Sequence, residues 1–95
     1  MLYPNFDWDP RKELLNISKH GISFAKAILI FSGPIVTAVD SRRDYGEVRR
    51  TSIGQIDGTI VVVIVHTDRH GTIRIISARR ASQAERRKYF EAISK

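Results

Sequence analysis

The sequence contains no cysteine. The chain can therefore form neither a disulfide nor a zinc site built on thiolates, and its stability has to come from packing or from a partner chain. Apolar runs are also short: the longest, at 60–65, is far below the roughly 18 residues that span a bilayer. The first residues lack the basic and apolar regions of a signal peptide. We therefore expect a cytoplasmic protein without a membrane segment.

Sequence signals for metal and cofactor sites are missing as well. The carboxylates are dispersed, and no two of the three histidines have a ligand spacing on one helix or at one hairpin end. The six glycines are isolated, so neither a phosphate-binding loop nor a dinucleotide fingerprint is present. We expect no metal and no cofactor, and an oxidoreductase or an NTPase is disfavoured.

Positive charge is in excess and unevenly distributed. The 95 residues, enough for a single domain over 1–95, carry 16 Lys and Arg against 10 Asp and Glu, a net charge of +6. Residues 66–95 hold eight basic and three acidic side chains. A basic surface of this kind favours a polyanionic partner such as RNA, because bound phosphates release counterions. The alternative is a solvated basic face without a ligand.

Capping residues predict two helices at the start of the chain. Asp9 is a typical N-cap and is followed by proline, while Gly21 is a typical helix end, which predicts a first helix over about 10–20. Ser23 can cap a second helix that runs to about Phe31. The chain therefore opens with two consecutive helices.

Beyond Pro34 the pattern changes to one that is typical of strands, at 35–39, 47–56, 59–67 and 72–78. Asp57-Gly58 is a favoured two-residue hairpin turn, because both positions need a positive φ. The unbroken apolar run of the third strand indicates burial on both faces. Ser82 and Glu85 form a capping box that opens a last helix. We predict an α+β fold: two N-terminal helices, a four-stranded antiparallel sheet and a C-terminal helix.

Arginine is concentrated at the end of the predicted sheet and in the last helix. Its planar, permanently charged guanidinium can bind phosphate and stabilise the charge that develops during metal-free phosphoryl transfer. Strand alternation predicts that Arg79 shares a face with Ile73, Ile75 and Ser77, and Arg80 with Arg74 and Ile76, so that one of the two arginines points away. For Arg86, Arg87 and Lys88 the alternative is a solvated helix face.

Histidine and tyrosine provide candidates for proton transfer. Histidine titrates near neutrality, and the chain has His20, His66 and His70. His20 can instead cap the end of the first helix, and His66 and His70 lie near a strand end and in a turn. Tyr89 lies three residues after an arginine on the last helix, where a core position is the alternative.

Three segments closely resemble the BrnT family of toxins. They are FDWD at 6–9, KHGISF at 19–24 with Ala27 and Phe31, and IISARRA at 75–81 with Glu85, Arg86 and Tyr89. The resemblance covers nearly the whole chain, and the second and third segments are its most specific parts. It implies a RelE-like fold, a ribonuclease activity that blocks translation, and inhibition by a BrnA antitoxin with a ribbon-helix-helix DNA-binding domain. In such a pair the toxin binds operator DNA only through the complex.

These observations lead to a hypothesis for the chemistry. The RNA 2′-hydroxyl attacks the adjacent phosphate, because a protein without a metal needs a nucleophile that RNA itself supplies. Arg79 or Arg80 would bind the phosphate, and His20 or Tyr89 would move protons. The candidates for holding the RNA strand are Arg49, Arg50, Arg74 and Arg86. The rival hypothesis is a non-catalytic nucleic-acid or protein-binding module, and a DNA-binding repressor ranks third because no helix-turn-helix is apparent.

Overall fold

The computed structural model describes residues 5–40 and 46–94, which form helices on either side of one sheet. In chain order the elements are β1 (Asn5–Asp7), α1 (Pro10–His20), α2 (Phe24–Ala27), a 3₁₀ helix (Ile28–Ser32), β2 (Val36–Asp40), β3 (Arg49–Ile56), β4 (Ile60–Arg69), β5 (Thr72–Arg80) and α3 (Gln83–Ile93). The predicted α+β class is confirmed.

The described sheet has five strands in the order β1-β5-β4-β3-β2. Strands β2 to β5 form the predicted antiparallel meander, but β1 adds a parallel edge, with Asn5 opposite Thr72 and Asp7 opposite Arg74. The predicted four-stranded, purely antiparallel sheet is therefore wrong. A strand of three residues, of which Phe6 alone is apolar, is too short to show the alternation by which strands are predicted.

The first helix lies where the capping residues predict it. The Asp9 carboxylate accepts a hydrogen bond from the Arg11 N–H at 2.9 Å, and Gly21 ends the helix at φ 72°. The second helix is α-helical only to Ala27 and then tightens into the 3₁₀ helix, which ends at Ser32 because Gly33 precedes a proline and is thereby disfavoured in the α conformation. Among the described residues no single helix is long and apolar enough to cross a membrane, and Pro10–His20 with Phe24–Ser32 reaches that length only as a pair bent by 82°.

The hairpin between β3 and β4 forms at the predicted Asp57-Gly58 turn. Both residues have positive φ, 55° and 73°, and the Thr59 N–H donates to the Ile56 carbonyl at 3.2 Å. The register pairs Ile56 with Ile60, so Thr59 stays outside the pairing and the loop is one residue longer than predicted. The predicted capping box of Ser82 and Glu85 is present at the start of α3.

A bulge in β5 changes the predicted alternation of its side chains. Ser77 pairs with Val65 and Ile75 with His66, so Ile76 is an extra residue that reverses the alternation. Arg79 therefore does not share a face with Ile73 and Ile75. The corrected assignment puts Arg74, Ser77 and Arg79 on one face, and Ile73, Ile75, Ala78 and Arg80 on the other.

The two faces of the sheet are covered differently. The core face packs under α1, α2 and the 3₁₀ helix, and its buried side chains include Ile56, Val62, Ile64, Ile75 and Ala78. The opposite side, here called the outer face, contains Val61 and Val63, which are buried but lie outside that cluster. Helix α3 contacts β2 and pairs with Arg79 of this face. The predicted burial of the third meander strand on both faces is therefore confirmed.

Candidate active site

Helix α1 is fixed to β5 by the amide of Asn16. Its Nδ2 donates to the carbonyls of Ile22 and Ala78 at 2.9 and 2.8 Å, and its Oδ1 accepts from the Ala78 N–H at 3.2 Å. The side chain thus satisfies the backbone of β5 where the short β1 no longer pairs with it. Asn16 is the one buried residue of α1, which shows that the helix is oriented by hydrogen bonding rather than by an apolar stripe.

A shallow pocket of about 210 Å³ lies at this seam between α1 and the β5 bulge. Lys12, Asn16 and His20 follow each other at intervals of four residues, so they form one row along the helix. Lys19 and Leu15 complete the helical wall, and Ile76 and Ser77 of the bulge form the opposite wall. The pocket is therefore bordered by two ammonium groups, an imidazole and a hydroxyl.

The pocket adjoins the outer face of the sheet. Ser77, which lines the pocket, shares that face with Arg74 and Arg79. Arg79 is two residues further along β5, a distance of roughly 7 Å between the Cα atoms. The bulge at Ile76 thus brings Ser77 and Arg79 onto the same side as Arg74, and bulges often redirect side chains in this way.

Arg79 is held by a carboxylate of α3. Its two terminal nitrogens donate to the Glu85 oxygens at 2.7 and 2.8 Å, and the Arg79 side chain remains 43% exposed. The hydrogen bonds from Arg79 lower the pKa of Glu85 to about 2, with a further contribution from the Ser82 N–H. Glu85 therefore orients the guanidinium while it caps the helix.

None of the six predicted arginines lines this pocket. Arg50 is on the core face, where it pairs with Asp68 at 3.0 Å, and the exposed Arg80 is on that face as well. Arg49 lies on the outer face of β3, opposite Asp40 in the register. Arg86 of α3 donates to the Thr59 carbonyl at 2.7 Å and packs over the Phe90 ring. The remaining predicted arginine, Arg74, pairs with Asp7 of β1. The arginines predicted as one cluster are thus divided between two faces and a helix.

Tyr89 is a core residue in this structure. Its side chain is 1% exposed, and its hydroxyl donates to the Pro34 carbonyl at 2.7 Å. Burial raises the pKa of this phenol. The hydroxyl joins α3 to the segment before β2 and does not reach the pocket between α1 and β5.

A second histidine, His66, belongs to a buried polar chain on the core face. Its Nε2 lies 2.7 Å from the Ser52 hydroxyl, which lies 2.8 Å from the Thr37 hydroxyl. Its ring packs edge-on against Phe31. Burial lowers the pKa of His66, and Asp68 and Arg50 act on it in opposite directions. His66 is on the other side of the sheet from Ser77.

Sequence reasoning missed the lysines and the serine of the pocket. Lys12 and Lys19 are seven residues apart and flank Asn16, a spacing that places three polar side chains on one helix face. That spacing was the available signal. Ser77 could not be assigned, because the direction of its side chain depends on the bulge.

Within residues 5–40 and 46–94 no group of three or more His, Asp or Glu could hold a metal ion.

Such a pocket is suited to bind and polarise a phosphate group. The ammonium groups of its lysines can attract and neutralise phosphate oxygens, and the imidazole of His20 can accept or return a proton. The apolar Leu15 and Ile76 give the same pocket a surface against which a base can pack.

Comparison with known proteins gives the class of the chain. A family model described as the ribonuclease toxin BrnT of type II toxin-antitoxin systems matches residues 8–85. The protein is thus a toxin of a type II toxin-antitoxin system, a class that implies an antitoxin partner. Within that class, the chain belongs to the BrnT family, which confirms the resemblance found in the three sequence segments.

The fold is also that of a solved relative. The 1.1 Å crystal structure of the Brucella abortus ribonuclease toxin BrnT is 28% identical to this chain, with a TM-score of 0.66. The match covers 85% of this chain and 100% of that one. A search of curated protein sequences gave no match.

Proposed function

We propose that this chain is a metal-independent endoribonuclease whose active site is the pocket between α1 and β5. The observation that carries the proposal is the presence of His20 in one pocket with Lys12, Lys19 and Ser77, beside the face that carries Arg79. The protein acts as a single toxin domain in the cytoplasm and blocks translation by cutting RNA. A BrnA-type antitoxin with a ribbon-helix-helix domain neutralises it, and the complex binds operator DNA.

The reaction uses the nucleophile that RNA carries. The 2′-oxygen forms a bond to the adjacent phosphorus while the bond from phosphorus to the 5′-oxygen breaks. The products are a 2′,3′-cyclic phosphate and a 5′-hydroxyl. The proton of the 2′-hydroxyl leaves to a base, and the departing 5′-oxygen takes a proton from solvent water.

The pocket residues divide this work. His20 accepts the proton of the 2′-hydroxyl, and Lys12 and Lys19 hold the phosphate beside it. Arg79, kept on the outer face by Glu85, stabilises the negative charge that grows on the phosphate oxygens. Arg74 and Arg49, on the same face, orient the flanking strand.

Four earlier candidates have no part in this site. Arg80 and Arg50 lie on the core face, and the Tyr89 hydroxyl is used by the Pro34 carbonyl. Arg86 is engaged at the β3–β4 turn. Their substitution should therefore affect cleavage less than that of the pocket residues.

Single substitutions test the site. With antitoxin-free protein and a defined RNA, His20→Ala and Arg79→Ala should each lower kcat/KM about 100-fold or more, as the loss of a general base or of a charge-stabilising donor does. Arg80→Ala and His70→Ala are the matched controls, since each removes the same residue type from an exposed position. They should retain activity within about threefold of wild type. Circular dichroism and thermal unfolding check that each variant is folded.

Two results would contradict the assignment. Full activity in a folded His20→Ala protein would remove the proposed base, and a loss confined to Arg80→Ala would move the site to the core face. The rival binding module predicts salt-sensitive binding of RNA that stays intact with every variant. Toxicity on expression that a single pocket substitution relieves would speak against that rival.

A further inference from the structure

Helix α1 exposes its aliphatic side chains and buries its asparagine. Leu14 and Leu15 are each 69% exposed and Ile17 is 40% exposed, whereas Asn16 is 7% exposed. A surface helix of a globular protein normally turns its apolar residues toward the core. Exposed leucines grouped on one helix are typical of a surface that a partner covers. The outward surface of α1, defined by Leu14, Leu15 and Ile17, is therefore an unpartnered apolar face.

Basic side chains border the Leu15 side of this apolar face. Arg11, Leu15 and Lys19 are spaced four residues apart, so Leu15 lies between two cations in one row. Lys12 and His20 form the next row. The carboxylate of Glu13 lies in the row of Ile17, on the other side of Leu14, and is held at the start of α2, where it accepts hydrogen bonds from the Phe24 and Ala25 N–H groups at 2.9 and 3.2 Å.

The apolar face is continuous with the proposed active site. Leu15 and Lys19 belong to both, since they also line the pocket between α1 and β5. A partner that packs on Leu14 and Leu15 would therefore reach the rim of the pocket. Whatever covers this helix would also restrict access of RNA to His20.

We propose that the outward surface of α1 is the docking site of the antitoxin, and that the antitoxin contributes an amphipathic helix with acidic residues beside its aliphatic ones. A type II toxin implies an antitoxin, and the aliphatic stripe with its cationic borders defines the complementary pattern. The flank of a helix offers no unpaired backbone groups, so recognition depends on side-chain packing, which suits a helix better than a strand.

The consequence for inhibition rests on the proposed function. The bound helix places its acidic residues near Lys19 and Lys12, where the RNA phosphate would otherwise lie. Neutralisation then occurs by occlusion of the pocket. The sheet edge at β2 is the contrasting surface, because Val39 is 61% exposed on the strand furthest from β5 and β1.

Binding of the cognate antitoxin, purified after co-expression with the toxin, tests the docking site. Leu14→Glu places a negative charge on the apolar face, does not alter a pocket residue, and should weaken binding at least about tenfold by calorimetry or surface plasmon resonance. Leu14→Ala should weaken it in the same direction by a smaller factor. Val39→Glu is the matched control and should bind within about twofold of wild type. RNA cleavage by free Leu14→Glu protein is measured alongside.

The outcomes are distinct. Weaker binding by Leu14→Glu alone supports the proposal, and unchanged binding overturns it. A loss confined to Val39→Glu overturns it in favour of the β2 edge. Sedimentation of the free toxin tests whether a second copy of the chain covers α1 instead. If Leu14→Glu dissociates a toxin dimer and leaves antitoxin binding unchanged, the proposal is overturned as well. If wild type cleaves no RNA but Leu14→Glu still loses the antitoxin, the proposed function fails and the docking site remains.

Discussion

Asn16 shows how one polar side chain can determine the direction of a helix. Its amide makes three hydrogen bonds to buried backbone groups of Ile22 and Ala78. Each of these buried backbone groups would cost about 1 to 3 kcal/mol if it were left without a partner, so the three bonds stabilise the inward orientation of Asn16. Asn16 therefore turns inward and Leu14 and Leu15 turn outward. The row of Lys12 and His20 faces the pocket as a result.

Replacement of Asn16 measures this effect. Asn16→Ala should lower the free energy of unfolding by about 2 to 3 kcal/mol, because three backbone groups lose their partners. Asn16→Asp should lower it at least as much at neutral pH, since a carboxylate would face two carbonyl oxygens. Chemical denaturation provides the measurement.

Ser18→Ala, at an exposed position of the same helix, is the control and should change stability by less than about 0.5 kcal/mol. An Asn16→Ala protein as stable as this control would show that α1 is held in place by other contacts.

Hydrophobicity alone would have placed α1 incorrectly. Leu14, Leu15 and Ile17 are the residues that an apolar pattern turns inward, and all three are exposed. Lys12, Lys19 and Ser77 were not predicted as site residues, because the directions of their side chains depend on contacts between residues that are distant in sequence. His20 was predicted from its chemistry alone, and the structure places it in the pocket.

Local chemistry made the ends of most elements predictable. The caps at Asp9, Gly21 and Ser82 and the turn at Asp57-Gly58 each depend on a few adjacent residues, and each is observed. The bulge at Ile76 and the strand β1 were not predicted, because pairing between distant segments determines both. The bulge matters most, since it decides that Arg74, rather than Ile73 and Ile75, shares a face with Ser77 and Arg79.

The capping box of α3 gives a prediction at the level of the element. Glu85→Gln preserves the cap, since glutamine also serves in capping boxes, but removes the charge that pairs with Arg79. In the folded protein the hydrogen bonds from Arg79 lower the pKa of Glu85 to about 2, from the ordinary glutamate value of 4.5. The ion pair therefore stabilises the wild type above about pH 4.5, and this contribution is lost as the pH falls toward 2.

The stability difference between wild type and Glu85→Gln should accordingly shrink as the pH falls through that window, as measured by thermal or denaturant unfolding. Glu91→Gln, on an exposed position of the same helix, controls for the loss of one negative charge. A difference from wild type that stays constant from pH 5 to pH 2 would contradict the role of Glu85.

At the scale of the whole molecule, the positive charge is arranged differently from its distribution in the sequence. The C-terminal third holds most of the excess charge, yet the pocket draws its lysines and its histidine from α1 near the N-terminus. Folding brings α1 against β5, where Arg74 and Arg79 lie. Composition indicated a polyanionic partner, and the topology determines where that partner can bind.

The most direct test of the account is the analysis of RNA ends produced by the antitoxin-free protein in excess EDTA. The proposed mechanism predicts cleavage that EDTA does not reduce, with 2′,3′-cyclic or 3′-phosphate ends and 5′-hydroxyl ends, because in that mechanism the 2′-hydroxyl is the nucleophile and the pocket cations stabilise the phosphate. Cleavage that EDTA abolishes and a divalent metal ion restores, or products with 5′-phosphate and 3′-hydroxyl ends, would contradict it.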